Sequence, residues 1–183
     1  MKMVLIAAAT ATALGSSLAM AANPMVGGAP MFETRNIVEN AVNSADHTTL
    51  VAAVQAAGLV ETLQGDGPFT VLAPTNAAFA ALPEGTVETL LMPENLDQLR
   101  TILTCHVIAN DVMSSAITAM IEADQGSHPF NTVGGCQFTL TQNANGNIQI
   151  IDGQGRTANV TIADVVQSNG VIHVIDSVLL PAM

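Results

Sequence analysis

The sequence predicts one α+β domain, with helices in its first half and antiparallel strands in its second. Apolar residues recur at helical spacing through Leu50, Val51, Val54 and Ala57, and again through Leu96, Leu99 and Leu103. Beyond Cys136 the period changes to alternation in Gln137-Phe-Thr-Leu-Thr141, followed by the hairpin signal Asn145-Gly146. Helices followed by strands, rather than alternating units of the two, point to the α+β class. About 160 residues behind an apolar leader suffice for one domain with its own core.

Lys2, the apolar stretch Val4 to Leu14 and the small-x-small run Ala19-Met20-Ala21 read as a signal peptide over residues 1–21. The stretch is well short of the roughly 20 residues a spanning helix needs. No Cys stands near the cleavage site to take a lipid. The expected product is a soluble, exported chain, periplasmic or secreted to the extracellular space, ending at Met183 and without membrane insertion. Asn23 to Pro30, rich in Pro, Gly and Ala, reads as part of a mobile linker over 22–33, which leaves 34–183 as the domain.

The elements follow in order. Asn36 to Ala41 predicts a short helix with Ile37 and Ala41 inward. Asp46 is placed to cap a helix running to Ala57, with Gly58 to end it. Phe69-Thr-Val-Leu72 has strand character after Gly67-Pro68. Thr75 caps a short helix from Asn76 to Leu82, and Pro83 closes it. Pro93 suits the first position of the next helix, with Glu94 in its first turn. His106-Val-Ile108 is strand-like, and Ser114 or Ser115 caps a helix through Glu122. Strands then follow over 137–141, 147–151, 157–162 and 171–175. Val178-Leu-Leu180 reads as a final stretch of buried strand.

Composition excludes several functions. The formal net charge is −11. Once Lys2 leaves with the leader, Arg35, Arg100 and Arg156 face fifteen acidic groups. Nucleic acid needs clustered cations to displace counterions, and anionic membrane surfaces need the same. The acids are scattered, so the surface favours solubility more than cation binding. With no Trp or Tyr and five Phe, stacking platforms are lacking too. Cys105 and Cys136, an even pair in an exported chain, read as one disulfide or as two buried thiols. They are not CxxC and have no companion cluster, so a catalytic or metal thiol ranks last.

No catalytic set assembles. There is no G-x-S-x-G, H-E-x-x-H, P-loop or G-x-G-x-x-G. His47, His106, His128 and His173 are far apart in sequence. Asn143 to Asn147 lacks the Gly at position six and the distal Glu of a calcium loop, and reads as a hairpin. Asn159-Val-Thr161 is a glycosylation sequon in form, but a bacterial-type signal peptide argues against its use. His106 and His173 each sit in an apolar run. They read as core histidines or as a pH switch, with a metal pair third.

Thr70-Val-Leu-Ala-Pro-Thr-Asn-Ala-Ala-Phe79 resembles the first signature of fasciclin domains, with Pro74, Asn76 and Phe79 in place. Leu103-Thr-Cys-His106 is similar to the central Tyr-His segment, with Cys105 where the family has Tyr. Asn169-Gly170-Val-Ile-His173-Val-Ile-Asp176 resembles the second signature. The resemblance spans about 34 to 181. It implies a wedge of mainly antiparallel strands with helices packed at one edge. It also implies an adhesion or binding module for cell–cell, cell–matrix or cell-surface association, without catalysis or cofactor. The partner would be a protein or other cell-surface ligand. In animal members an Asp-Ile pair ahead of the second signature is linked to integrin binding. Asp164-Val165 occupies that place and is the candidate contact, against a reading of turn acid and core valine. The alternative function is a periplasmic small-molecule or cation binder.

Overall fold

A computed structural model describes residues 23–182; the predicted signal peptide lies outside the described residues. Strands β1 (Met25–Val26) and β2 (Ala29–Pro30) form a small antiparallel hairpin. This corrects the expected mobile linker. Val26 and Met31 are buried and anchor the segment to the core. Gly27 packs so closely on Ser44 and Ala45 that a Cβ would lie 2.3 Å from Ser44 Oγ. Composition signalled mobility, but two buried apolar side chains outweigh it.

Helix α1 (Ile37–Ala41) begins with a capping box formed by Asn36 and Glu39. Helix α2 (Thr48–Ala56) follows a 3-10 turn, Ala45–His47, so Asp46 lies inside that turn and does not cap the helix. A short helix α3 (Val60–Gln64) follows. Strand β3 (Phe69–Pro74) leads into α4 (Asn76–Ala80), capped by Thr75 as expected. Next come α5 (Thr86–Leu90), a 3-10 turn at Pro93–Asn95, and α6 (Leu96–Thr104). Pro93 thus opens a 3-10 turn ahead of the helix rather than the helix itself. Strand β4 (Val107–Ile108) is followed by α7 (Ser114–Ala123), in which Ser114 is the first helical residue and not the cap. The strands β5 (Ser127–Asn131), β6 (Gln137–Gln142), β7 (Ile148–Ile151), β8 (Thr157–Gln167) and β9 (Gly170–Ile175) complete the chain. Helices α3 and α5 and strand β5 have no counterpart in the sequence reading.

Seven strands form one sheet in the order β4-β3-β9-β8-β7-β6-β5. All neighbours are antiparallel except β3 and β9, which run parallel from Phe69 opposite Gly170 to Pro74 opposite Ile175. This central pair is buried on both faces, as its largely apolar sequence requires, with Thr70 and His173 its two polar members. Val71, Ala73, Ile172 and Val174 join the core beneath α1 to α6. Leu72 and Ile175 join a second core with Ile117 and Ile121 of α7, Phe138 and Ile150.

The sheet curls until its ends meet. Val133 N–H donates to Val107 O of β4 at 2.8 Å, and Gly134 N–H to Thr104 O at 3.0 Å. A disulfide joins Cys105, just after α6, to Cys136, just before β6, with the Cα atoms 5.4 Å apart. Bond and backbone together staple the β5–β6 turn to the opposite end of the sheet. The expected strand at Val178–Leu180 does not form. Its amides turn to side chains instead: Leu179 N–H donates to His106 Nε2 at 2.9 Å and Leu180 N–H to Asp152 Oδ2 at 3.0 Å.

The disulfide closes a loop with a sequence separation of 31. Its reduction is expected to cost roughly 3–4 kcal/mol of stability in the chain-entropy picture. Urea unfolding with and without reductant measures this, and equal midpoints would show that the bond contributes nothing.

Candidate functional site

The residues that drew attention in the sequence lie on or beside the β3–β9 pair. Most of them are engaged with the chain itself. Asn76, at the start of α4, reaches back about thirty residues. Its Oδ1 accepts from Thr49 N–H at 3.0 Å and from Thr48 Oγ1 at 3.2 Å, and its Nδ2 donates to Ala45 O at 2.8 Å. It thereby caps α2, whose own preceding residue His47 makes no side-chain cap. Asn169 does the same at the other signature. Its Oδ1 accepts from Ile37 N–H of α1 at 3.0 Å, and its Nδ2 donates to Leu63 O and Gly65 O past α3. Gly170 has φ 154°, and a Cβ there would lie 1.9 Å from Phe69 O. Pro74 ends β3, and Phe79 is buried in the helix-side core.

His106 and His173 are both buried. His106 Nδ1 is 2.8 Å from Ile102 O, to which it donates, while Nε2 accepts from Leu179. That fixes a neutral ring with its proton on Nδ1. Burial drives its pKa from 6.5 down to about 4, outweighing the Ile102 carbonyl and the field of Asp152, which raise it. His173 Nε2 donates to Val112 O at 2.8 Å, and Nδ1 accepts from Asp164 N–H at 3.2 Å. Burial lowers its pKa too, against the Val112 carbonyl and the charges of Asp164 and Asp111. Both rings have both nitrogens occupied, so neither is free to hold a metal or act as a base.

Asp164 sits at an irregularity of β8 with φ 57°. Its Oδ1 accepts from Ser114 N–H at 2.6 Å and its Oδ2 from the Ser114 hydroxyl, so it caps α7 from across the fold. Ser, Asp and His thus stand near one another here without forming a relay. The Ser114 hydroxyl donates to a carboxylate, and His173 meets only backbone. Val165 is fully buried and offers a partner no side-chain surface. Asp176 accepts from Asn159 N–H at 2.8 Å and Asn159 Nδ2 at 2.7 Å, which holds the sequon asparagine in the sheet.

Sequence reasoning missed Asp152. Its side chain is 1% exposed and takes a 2.7 Å ion pair from Arg156, with further bonds from Gln154 N–H, Arg156 N–H and Leu180 N–H. Burial alone would raise this carboxyl, but the donors together hold it below its ordinary range. The signal was an Asp opening the Gly-containing segment Asp152-Gly-Gln-Gly-Arg156 between two expected strands.

The surface left for contact is polar and acidic. Arg35 lies over the Phe32 ring, Arg100 bonds Ala57 O, and Arg156 bonds Asp152 and Val178 O, so the three arginines are spread out and internally engaged. At the β6–β7 turn, Asn143 Oδ1 accepts from Asn145 N–H and Asn147 N–H, a hairpin turned on its own backbone as expected. Among the described residues, no group of three His, Cys, Asp or Glu side chains converges to hold a metal ion. Among them, too, no helix is long and apolar enough to cross a membrane.

The profile of the Fasciclin domain matches residues 45–181. Protein sll1483 of Synechocystis is 46% identical over 149 residues, covering 80% of this chain and 74% of that protein. Cell surface glycolipoprotein MPB83 of Mycobacterium bovis is 39% identical over 123 residues, covering 67% of this chain and 48% of that protein. Among solved structures, the FAS1 domain pair of the insect cell adhesion molecule Fasciclin I superposes with a TM-score of 0.70 at 19% identity. The match covers 80% of this chain and 51% of that pair, so the present chain spans about half its length.

Two outcomes follow from these bonds. Asn76→Ala uncaps α2 from a distance and is expected to cost about 1–2 kcal/mol in urea unfolding; no change would show that water replaces the cap freely. His106 is neutral when folded and titrates near 6.5 when unfolded. Its contribution is therefore fully present above 6.5 and is lost as pH falls toward about 4. His106→Gln should be less stable at neutral pH, yet lose about 2 kcal/mol less than the parent between neutral pH and about 4.5. Parallel pH profiles for the two proteins would assign the acid sensitivity elsewhere.

Proposed function

Because the chain belongs to the fasciclin domain family, we propose that it is an exported, non-catalytic adhesion module. In this reading it associates a cell with another cell, a matrix or a surface by binding a protein or other cell-surface ligand. The family match across residues 45–181 carries the reading. The relatives named as a cell surface glycolipoprotein and a cell adhesion molecule support it.

The internal commitments of the signature residues direct the partner elsewhere. Asn76, Asn169, His106 and His173 spend their polar atoms on backbone groups and are not offered to a ligand. Polar loops are the proposed contact: the exposed turn at Asn143–Asn147, and the β8 irregularity at Asp164. At Asp164–Val165 the valine is buried, and the half-buried acid would be presented only through the lone pairs left over from capping Ser114. A second reading, binding of a small molecule, is favoured by a cleft described below.

Beads coated with the purified protein should be retained on neighbouring cells above bare beads, and deleting the gene should reduce cell aggregation. Asn145→Lys, at the exposed turn, should weaken retention severalfold without shifting the melting temperature. Equal retention of coated and bare beads, with normal aggregation of the deletion strain, would rule the adhesive reading out.

A further inference from the structure

A cleft of about 360 Å3 opens inside the curl of the sheet. Residues from both ends of the sheet line it, Thr70 of β3 and Ile108 of β4 on one side and the β5 segment His128–Asn131 on the other. Its floor is apolar, with Leu72, Leu140 and Ile150 buried beneath half-buried Met120 and Val160. The volume falls at the small end of the range of about 300–1,000 Å3 that ligand pockets occupy. Half-buried apolar side chains facing a cleft of this size remain uncovered by the chain itself.

The polar groups at the mouth select the ligand. His128 Nδ1 lies 2.7 Å from Asp124 Oδ2. The carboxylate only accepts, so Nδ1 carries a proton, and in the neutral ring Nε2 is the acceptor. Asn110 gives its backbone carbonyl to Thr70 Oγ1 at 2.6 Å. Its side-chain amide, like that of Asn131, has no hydrogen-bond partner among the described residues. These two amides can accept or donate. Among the described residues, no Lys, Arg, Asp or Glu lines the cleft. An anionic head would thus meet no cation and would face Asp124 just behind the imidazole. A cationic head would find no free carboxylate in the lining to replace its water.

We propose that this cleft binds a small neutral apolar molecule bearing one hydroxyl, with the hydroxyl donating to His128 Nε2 and accepting from the Asn110 amide. The aliphatic or aromatic body rests on the half-buried Met120, Phe130 and Val160, which lie over Leu72, Leu140 and Ile150. This activity is separate from adhesion, and its test uses isolated protein, so the two readings stand or fall independently.

The probe is 1-octanol, titrated below its solubility limit into the purified protein and followed by amide NMR shifts. Octanoate and octylammonium serve as charged controls of equal length. Saturable shifts should map to the residues of the cleft, with octanol at least tenfold tighter than either ion. His128→Phe should weaken octanol binding about fivefold, the loss of one hydrogen bond. Ile150→Trp should abolish binding by filling the floor; if that variant does not fold, Met120→Trp at the half-buried rim replaces it. The proposal is overturned if no saturable shift appears. It is equally overturned if either ion binds as tightly as the alcohol, or if binding in folded variants of His128 and of the cleft wall matches that of the parent.

Discussion

The parallel pairing of β3 with β9 is the constraint on which the remaining structure depends. Six residues from each strand lie in register, joining positions about a hundred apart in sequence. Backbones can approach this way only because Gly170 lacks a Cβ against Phe69. Once they do, Asn169 is delivered to the ends of α1 and α3, and Asn76 to the start of α2. The helical layer is therefore capped by side chains held just beyond the ends of this strand pair. The helices are short and supply few caps of their own, so packing and these remote bonds define where they begin and end.

Much of this was legible in the sequence, and the parts that were not share a cause. Periodicity placed α2 and α6, a serine cap signal placed α7, and alternation with Asn145-Gly146 placed β6 and β7. What one sequence does not show is a partner far away. The cap of α2 was assigned to Asp46 because Asp46 is adjacent, whereas the structure uses Asn76. Ser114 or Ser115 reads as a cap, yet Ser114 is itself capped by Asp164. Val178–Leu180 is apolar and reads as strand, but its amides find His106 and Asp152 instead of a neighbouring strand. Short elements such as α3, α5 and β5 carry too few residues for a period to declare itself. The resemblance pointed correctly to the family, while the parallel order of its two signatures emerged only from the sheet.

Two separate kinds of polar residue emerge. Asn76, Asn169, His106, His173 and Asp152 are turned inward, and each satisfies backbone groups that no regular element reaches. Their chemistry, including the lowered titration of the histidines, belongs to stability. The groups that face outward are the acidic surface, the Asn143–Asn147 turn and the amides around the cleft. Recognisable residues thus define the scaffold, and the unremarkable ones are left to meet other molecules. Fold and signature alone do not name a ligand for this reason.

The placement of β9 also governs when the fold can exist at all. The strand that lies between β3 and β8 is made of residues 170–175, after every other strand has been synthesised. Until it arrives, β3 has only the two-residue β4 beside it, and the long β8 exposes an unpaired edge. A chain emerging from the ribosome therefore carries two incomplete half-sheets whose only available contact is the one between the β5–β6 turn and β4. Closure of the sheet should await residues 170–175, so the preceding strands must stay apart and unaggregated until that late strand is made.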